Sequence, residues 1–294
     1  MFDTTRVVLA AAVTAAVTSL VCPAFATAAE PHYKEYVALG DSWSADATFS
    51  QITDEFAPGG CVQSARNYPK QVAAALSVPV FRDATCGSAV TANMTAPQGV
   101  SDGVNAPQFD RLTPTTDLVT LGIGGNDAGL SATAFSCLTI DPAATPCKDA
   151  QVTPDGDRMS AAIETAAGRI RDAISGIRQR APHARILLLD YLQGVSGGSC
   201  FPRIPISDGD AIWLGDKLFE IHGMLARIAA ESGVDFVDTY TGSVGHDACQ
   251  PPDVRWVEGL IPYSSHPAGP AVPMHPTQLG ADYQTRRVLE ILGA

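Results

Sequence analysis

Blocks of apolar residues separated by polar loops predict five β-strands in this chain. Each block is short, mostly apolar, and stops at glycine or a small polar residue. Such continuous apolar runs are typical of strands that are covered on both faces. The five predicted strands span residues 35–39, 80–84, 117–123, 185–191 and 234–238.

Helical periodicity appears between these strands. It is strongest over 159–180, where isoleucine and alanine recur every three or four positions. Similar patterns predict helices over 67–76, 208–231 and 278–292. Strands that alternate with helices form βαβ units, which place parallel strands in one sheet with helices on both faces. We therefore predict an α/β fold, a three-layer α/β/α sandwich around a central, mostly parallel five-stranded sheet.

Four long segments lack either pattern and are rich in Pro, Gly and Ser: 88–114, 128–157, 192–207 and 241–274. Loops of this length in a compact domain are usually functional. No repeat or low-complexity linker divides the chain. We predict that 27–294 forms a single domain whose long loops carry the substrate site.

The first 26 residues differ in composition from the rest. Arg6 precedes an Ala- and Val-rich apolar run, and Ala24-Phe25-Ala26 offers a cleavage site of the A-x-A type. These features predict a signal peptide over 1–26, cut within a few residues of Ala26. Val21 precedes Cys22, where a lipoprotein signal would have a small residue. We expect a secreted protein, with retention at the cell envelope as the alternative.

The negative net charge of the chain argues against nucleic-acid binding. The 294 residues are 46% hydrophobic and 17% charged, with a formal net charge of −12. Nucleic-acid binding needs a basic surface, so no nucleic-acid partner is expected. The apolar content is ample for a large core.

Cysteine usage also fits export. Seven cysteines are present, and removal of residues 1–26 would leave six. An even number in an exported chain predicts three disulfides, whose pairing the count alone leaves open. No C-x-x-C pair and no His/Cys cluster has the spacing of a zinc site, so no metal is predicted.

Three predicted strands end in glycine and small polar residues: Gly40-Asp41-Ser42, Cys86-Gly87-Ser88 and Gly124-Gly125-Asn126-Asp127. The carboxyl ends of parallel strands meet at one edge of a sheet, where ligands bind. Ser42 is therefore the candidate nucleophile, with Ser44 as a neighbouring alternative. We assign structural roles to the two aspartates.

A serine nucleophile needs a base, and His275 is the best candidate. It is followed by Pro276, which keeps it out of helical geometry, and by Thr277, which can cap the last helix. A second His-Pro pair, at His266, precedes no helical pattern and is a weaker candidate.

These residues together resemble the SGNH (GDSL-type) hydrolase family, in particular its secreted actinobacterial lipases and esterases. The matching blocks occur in the family's order and span 36–290. The resemblance implies a flavodoxin-like sheet, a Ser42 nucleophile with His275 as general base, and no cofactor. It implies oxyanion donors from the Ser42 and Gly87 N–H groups and the Asn126 side chain. It also implies the disulfides Cys61–Cys86, Cys137–Cys147 and Cys200–Cys249.

The chain departs from the family at the histidine. The family's usual Asp-x-x-His block would place an aspartate at position 272, but this sequence has Val272. We predict that the main-chain carbonyl of Val272 orients His275 instead, because a carbonyl can accept the Nδ1–H hydrogen bond. A distant carboxylate is the alternative.

The expected function is a secreted serine esterase or lipase acting on carboxylic esters, with fatty-acyl lipid esters favoured by the resemblance. Alternatives are a carbohydrate O-acetyl esterase, a phospholipase, and a catalytically silent envelope-binding protein. We expect a monomer that meets a small-molecule or lipid ester and contacts a lipid interface transiently. Trp213, Leu214 and Phe219 either line an acyl pocket or are ordinary helix-face residues.

Overall fold

Five parallel strands form the central sheet of the computed structural model, which describes residues 1–2, 32–196, 201–202, 204–260, 263–265 and 268–294. The strands are β1 (Glu35–Gly40), β2 (Val80–Asp83), β3 (Leu118–Gly122), β4 (Arg185–Leu189) and β5 (Asp235–Val237). Every neighbouring pair is parallel, and their order across the sheet is β2-β1-β3-β4-β5. This is the flavodoxin-like order, and the predicted fold class is confirmed.

Six α-helices lie between or after the strands of the sheet in the described part of the chain. They are α1 (Tyr68–Ala75), α2 (Leu130–Ser136), α3 (Pro146–Gln151), α4 (Arg158–Arg180), α5 (Asp208–Ser232) and α6 (Gln278–Leu292). Helices α1, α4, α5 and α6 are the four that periodicity predicts. The short helices α2 and α3 lie inside the segment predicted as loop.

The two faces of the sheet bury different clusters. Tyr36 and Ala38 of β1 belong to the cluster that includes Tyr68 and Val72 of α1. Val37 and Leu39 point to the other face, into the larger cluster that α4 and α5 supply. Since successive side chains of a strand point to opposite faces, this alternation produces the three-layer packing.

The helices begin at residues suited to capping. Asn67, Asp157, Ser207 and Thr277 each accept a hydrogen bond from an N–H in the first turn of α1, α4, α5 and α6, respectively. Such side chains satisfy backbone donors that have no partner within the helix. The predicted cap at Thr277 is confirmed, and it sets the position where α6 starts.

The long loops contain ordered structure. Hairpins form at Gln98–Val100 with Gly103–Asn105, Val152–Thr153 with Gly156–Asp157, and Tyr263–Ser265 with Ala268–Pro270. Single 3₁₀ turns occur at Gly59–Cys61, Thr91–Met94, Gln108–Arg111 and Thr241–Ser243.

Two of the predicted disulfides are present, Cys61–Cys86 and Cys137–Cys147. The third predicted pair includes Cys200, which lies outside the described residues, as does almost all of the predicted signal peptide. No helix in the described part of the chain is long and apolar enough to cross a membrane.

Candidate active site

The candidate site lies where the order of the sheet reverses. From β1 the chain passes to β2 on one side, and it then returns to β3 on the other side of β1. Connections that diverge in this way leave a crevice at the carboxyl ends of the two inner strands. Ser42 follows β1 and Asn126 follows β3, so both predicted site residues lie at this crevice.

A tight turn after β1 presents Ser42. A Cβ at Gly40 would lie 2.4 Å from Ser44 Oγ and 2.6 Å from the Gly122 carbonyl oxygen, so only glycine fits there. The Asp41 N–H donates to that carbonyl at 3.0 Å, and the Ser44 hydroxyl donates to it at 3.1 Å. The alternative nucleophile Ser44 is thus buried and already hydrogen-bonded to β3.

Ser42 and His275 contact each other directly although 233 positions separate them. Ser42 Oγ lies 2.7 Å from His275 Nε2. The other ring nitrogen, Nδ1, donates to the Pro273 carbonyl oxygen at 2.7 Å. Because Nδ1 holds the proton, Nε2 presents a lone pair to the serine hydroxyl.

The predicted acceptor of the Nδ1–H hydrogen bond was wrong by one residue. It is the carbonyl of Pro273, not that of Val272. Met274, which lies between Pro273 and His275, adopts a left-handed φ of 58°. This conformation turns the chain so sharply that the carbonyl two positions before the histidine reaches the ring. The acceptor is nevertheless a main-chain carbonyl rather than a carboxylate, as predicted.

The loop that carries His275 is held by backbone hydrogen bonds to Glu258. The Glu258 N–H donates to the His275 carbonyl at 2.8 Å, and the Met274 N–H donates to the Glu258 carbonyl at 3.1 Å. The buried Glu258 carboxylate pairs with Arg255 at 2.7 Å. No carboxylate of a described residue bonds the imidazole, so a distant acid does not replace the aspartate there.

Burial lowers the pKa of His275 to about 4, against the opposing effect of the Pro273 carbonyl, which favours the protonated ring. His275 is half-buried and lines the adjoining cavity, and Trp43 lies beside it with ring centroids 6.3 Å apart. The imidazole is therefore neutral at neutral pH and able to accept a proton.

The two other predicted oxyanion donors differ in availability. Asn126 Nδ2 donates one hydrogen to the Ala89 carbonyl at 3.0 Å, which leaves its second hydrogen available. The Gly87 N–H donates to the Cys61 carbonyl at 2.9 Å. The prediction of Gly87 as a free donor is therefore wrong, because the turn fixed by the Cys61–Cys86 disulfide uses that N–H.

One residue further along that turn, Ser88 has a left-handed φ of 62°. Among the described residues its N–H has no hydrogen-bond partner, and the same is true of the Ser42 N–H. Asn126 contacts this turn through Ala89. The Ser88 N–H is therefore the backbone donor of this turn that has no described partner.

A buried tyrosine that the sequence patterns did not single out links the loops that follow β1 and β3. Tyr191 follows β4, and its hydroxyl donates to Asp41 Oδ2 at 2.6 Å while accepting from the Gly125 N–H at 2.8 Å. Asp41 Oδ1 accepts from the Trp43 N–H at 2.9 Å. Burial raises the pKa of Asp41 to about 7, and the Tyr191 hydrogen bond opposes that rise. A polar residue at the end of the fourth predicted strand was the signal that could have identified Tyr191.

We expect Tyr191→Phe to lower kcat for a soluble ester roughly tenfold while changing KM less than about threefold. The variant leaves the Gly125 N–H and one Asp41 oxygen without a buried partner, a loss of roughly 1–3 kcal/mol that loosens both loops. Steady-state kinetics with p-nitrophenyl butyrate would measure this.

The control for Tyr191 is a double-mutant cycle with Asp41→Asn. If Tyr191 acts through Asp41, the two effects are far from additive. An unchanged kcat in Tyr191→Phe would show that its hydroxyl does not position the loops.

An apolar cavity, open to solvent, adjoins the Ser42–His275 pair. Its described lining includes no Lys or Arg, and most of it is hydrophobic: Trp43, Leu130, Ala134, Phe135, Val195, Ile206, Leu214, Leu218, Leu260 and Met274. Of the three residues considered from sequence, Leu214 lines it. Trp213 instead donates its indole N–H to Asp157, and Phe219 stacks on His222.

The Asp127 carboxylate has structural partners. Asp127 accepts hydrogen bonds from the N–H and the hydroxyl of Thr91. His266, the alternative base, lies outside the described residues.

Away from the crevice, Asp190, His222 and Asp238 bring potential metal ligands within 4.8 Å of one another. Asp190 is buried, and its Oδ1 accepts from the Thr239 N–H at 2.6 Å while its Oδ2 accepts from His222 Nδ1 at 2.6 Å. These bonds occupy lone pairs that a cation would need. We interpret the cluster as a structural link between β4, α5 and β5.

The chain is similar to known lipases and esterases over most of its length. The profile of the GDSL-like Lipase/Acylhydrolase family matches residues 38–283. Lipase 2 of Streptomyces coelicolor is 36% identical over 269 residues, which cover 88% of this chain and 86% of that protein. A lipase of Streptomyces rimosus is 28% identical, covering 79% of this chain and 80% of that protein.

Two solved structures share the fold closely. Phospholipase A1 from Streptomyces albidoflavus NA297 superimposes with a TM-score of 0.69 at 25% identity, covering 89% of this chain and 98% of that one. An extracellular lipase from Streptomyces rimosus gives a TM-score of 0.69 at 27% identity, covering 88% and 98%.

Proposed function

This chain belongs to the GDSL-like lipase/acylhydrolase family and is a carboxylic ester hydrolase, and from that premise we propose that it cleaves fatty-acyl esters through an acyl-enzyme on Ser42. The observation that carries the proposal is the 2.7 Å contact between Ser42 Oγ and His275 Nε2. A hydroxyl in hydrogen-bond contact with a neutral, oriented imidazole is the arrangement that nucleophilic catalysis requires.

In the acylation step, His275 Nε2 removes the proton of Ser42 as Oγ attacks the ester carbonyl carbon. The carbonyl oxygen becomes an oxyanion. When the tetrahedral intermediate collapses, the bond to the alcohol oxygen breaks, and the imidazolium returns its proton to the leaving alcohol. The product of this step is an ester of the acyl group with Ser42.

The oxyanion is stabilised by donors that stay fixed through the reaction. The Ser42 N–H and the free hydrogen of Asn126 Nδ2 supply two of them. We assign the third to the N–H of Ser88, since Gly87 donates to Cys61. Each such donor contributes roughly 10²–10³-fold in rate when it is aimed at the developing charge.

Deacylation repeats the same chemistry with water as the nucleophile. His275 removes a proton from water, the hydroxide attacks the acyl carbon, and Ser42 Oγ leaves with the proton from His275. The Pro273 carbonyl keeps the ring in one tautomer through both steps. It bears only a partial negative charge, so it stabilises the imidazolium less than an aspartate would.

The cavity beside the dyad favours a fatty-acyl group. Its hydrophobic lining can bury a hydrocarbon chain, and each methylene that it removes from water is worth about 0.8 kcal/mol. A phosphate headgroup inside the cavity would meet no cation among the described lining residues. These features support neutral acyl esters over phospholipids as the substrate.

Secretion is supported by three observations. The first 26 residues have the pattern of a signal peptide, and two disulfides form among the remaining cysteines. The similar lipase of Streptomyces rimosus is extracellular. Expression with the full N-terminus, followed by N-terminal sequencing of the protein in the medium, would test the cleavage.

The substrate proposal is tested with p-nitrophenyl esters of graded acyl length. We expect kcat/KM to rise from acetyl to octanoyl, because the cavity buries more of a longer chain. A preference for acetyl that falls steeply with length would favour an O-acetyl esterase and contradict the proposal.

A variant that fills the cavity sharpens this test. Ala134 lines the cavity, and Ala134→Phe is expected to lower the octanoyl-to-acetyl ratio of kcat/KM roughly tenfold or more, since a ring now occupies the acyl site. Ala132→Phe is the matched control, because Ala132 lies on the same helix but is exposed and outside the lining. Equal ratios in the two variants would contradict the placement of the acyl chain.

A further inference from the structure

A stretch of uncharged, exposed residues borders the cavity. Residues 128–140 contain no Asp, Glu, Lys or Arg, in a chain that has 31 acidic and 19 basic residues. Three large apolar side chains of this stretch are exposed: Phe135 by 51%, Leu138 by 41% and Ile140 by 97%. We call these three residues the apolar rim.

The apolar rim is continuous with the proposed acyl site. Phe135 itself lines the cavity while half of its surface faces solvent. Leu138 pairs with Ile206, which also lines the cavity, and the Thr139 N–H donates to the Pro205 carbonyl at 2.8 Å. Ile140 extends from this pairing into solvent.

The backbone holds the apolar rim in its exposed position. Cys137 and Cys147 close the segment with a disulfide. The N–H groups of Cys147 and Lys148 donate to the buried carboxylate of Asp210 on α5, at 3.2 Å and 3.0 Å. Because both ends of the segment are anchored, its apolar side chains cannot simply fold into the core.

We propose that the apolar rim inserts into the surface of a lipid aggregate and aligns the cavity with the ester to be cleaved. This inference rests on the proposed function. An acyl chain that leaves a lipid phase for the cavity must cross the rim, and an apolar crossing avoids exposing the chain to water. Clustered exposed apolar side chains of this kind mark interaction sites.

The charge distribution selects the kind of lipid surface. The whole chain carries a formal net charge of −12, so an anionic membrane would repel it. The uncharged stretch 128–140 adds neither attraction to nor repulsion from a headgroup charge. The apolar rim therefore fits the uncharged surface of a triglyceride droplet. Phosphatidylcholine vesicles, which carry no net charge, serve as the probe for binding to such a surface.

Binding is tested without turnover in the Ser42→Ala background, by flotation with phosphatidylcholine vesicles. We expect measurable binding that falls roughly tenfold or more in Leu138→Ser/Ile140→Ser, because two apolar side chains leave the lipid. Ile140→Ser alone should reduce binding in the same direction without affecting folding, since Ile140 makes little contact with the protein. Val80→Ser is the matched control, because Val80 is 40% exposed but begins the edge strand β2 and is not part of the uncharged stretch.

Turnover supplies an independent measurement. With Ser42 restored, the rim variants should hydrolyse emulsified tributyrin at least about fivefold more slowly than the parent, while kcat/KM for dissolved p-nitrophenyl butyrate stays within about twofold. Binding that is absent in the parent, equal in the rim variants, or confined to anionic vesicles would overturn the inference. The function proposed for Ser42 would stand in each of those cases, because its own tests use dissolved esters and need no lipid surface.

Discussion

Ser42→Ala is expected to lower kcat/KM for p-nitrophenyl butyrate by roughly 10⁴–10⁶-fold. The variant removes the proposed nucleophilic oxygen, 2.7 Å from His275 Nε2, and leaves the backbone N–H and the cavity in place. The remaining activity would come from the oxyanion donors and substrate binding. Initial-rate measurements with enough enzyme to detect that low activity would establish the factor.

Ser44→Ala is the matched control for the nucleophile. Ser44 lies two residues away and bonds the Gly122 carbonyl, so its loss should change kcat/KM less than about tenfold. A fluorophosphonate ester provides a second readout, since attack by a serine on phosphorus expels fluoride and leaves a covalent adduct. An adduct on Ser44, or undiminished hydrolysis by Ser42→Ala, would refute the proposed nucleophile.

His275→Ala is expected to cost about as much as the loss of Ser42, because the two residues act as one unit. The double variant should therefore be scarcely slower than either single variant. Additive losses would instead show that another base, such as His266, serves Ser42 when His275 is absent. The same p-nitrophenyl butyrate assay on the three variants decides between these results.

The pH dependence of kcat/KM reports on the same histidine. Only neutral imidazole can accept the serine proton, so activity must be lost as the pH falls through the pKa of His275. Burial places that pKa at about 4, below the ordinary value of 6.5. We expect activity to persist well below pH 6, with the loss centred near pH 4 and measured from p-nitrophenol after alkaline quenching.

Asp41 provides the control for this pH profile, because burial places its pKa at about 7. A loss of activity centred near pH 7 that disappears in Asp41→Asn would report Asp41 rather than the base. A loss centred between pH 6 and 7 that Asp41→Asn leaves unchanged would contradict a desolvated His275 without a carboxylate partner.

Local sequence pattern was enough to predict the central sheet and the four helices α1, α4, α5 and α6. Buried parallel strands need continuous apolar runs, and amphipathic helices need a 3.6-residue period, so both features are visible in the sequence itself. The short helices α2 and α3 were not predicted. They have seven and six residues, and anchors distant in sequence, such as Asp210, hold that segment. Their stability therefore comes from tertiary contacts rather than from local propensity.

The residue types of the site were also evident from sequence. Ser42, Asn126 and His275 stand in motifs whose glycine, proline and capping residues have local geometric causes. The geometry between these motifs was not evident. Because Met274 has a left-handed backbone conformation, His275 Nδ1 donates to the carbonyl of Pro273 instead of that of Val272.

The sequence by itself therefore determined the fold class, the nucleophile candidate and the base candidate, because each depends on short-range pattern and chemistry. Only the tertiary structure decided which groups remain free to act. The Gly87 N–H donates a hydrogen bond to the carbonyl of Cys61, 26 residues away. The Tyr191 hydroxyl joins two loops that follow different strands. Hydrogen bonds between distant segments depend on atomic positions that no local pattern specifies.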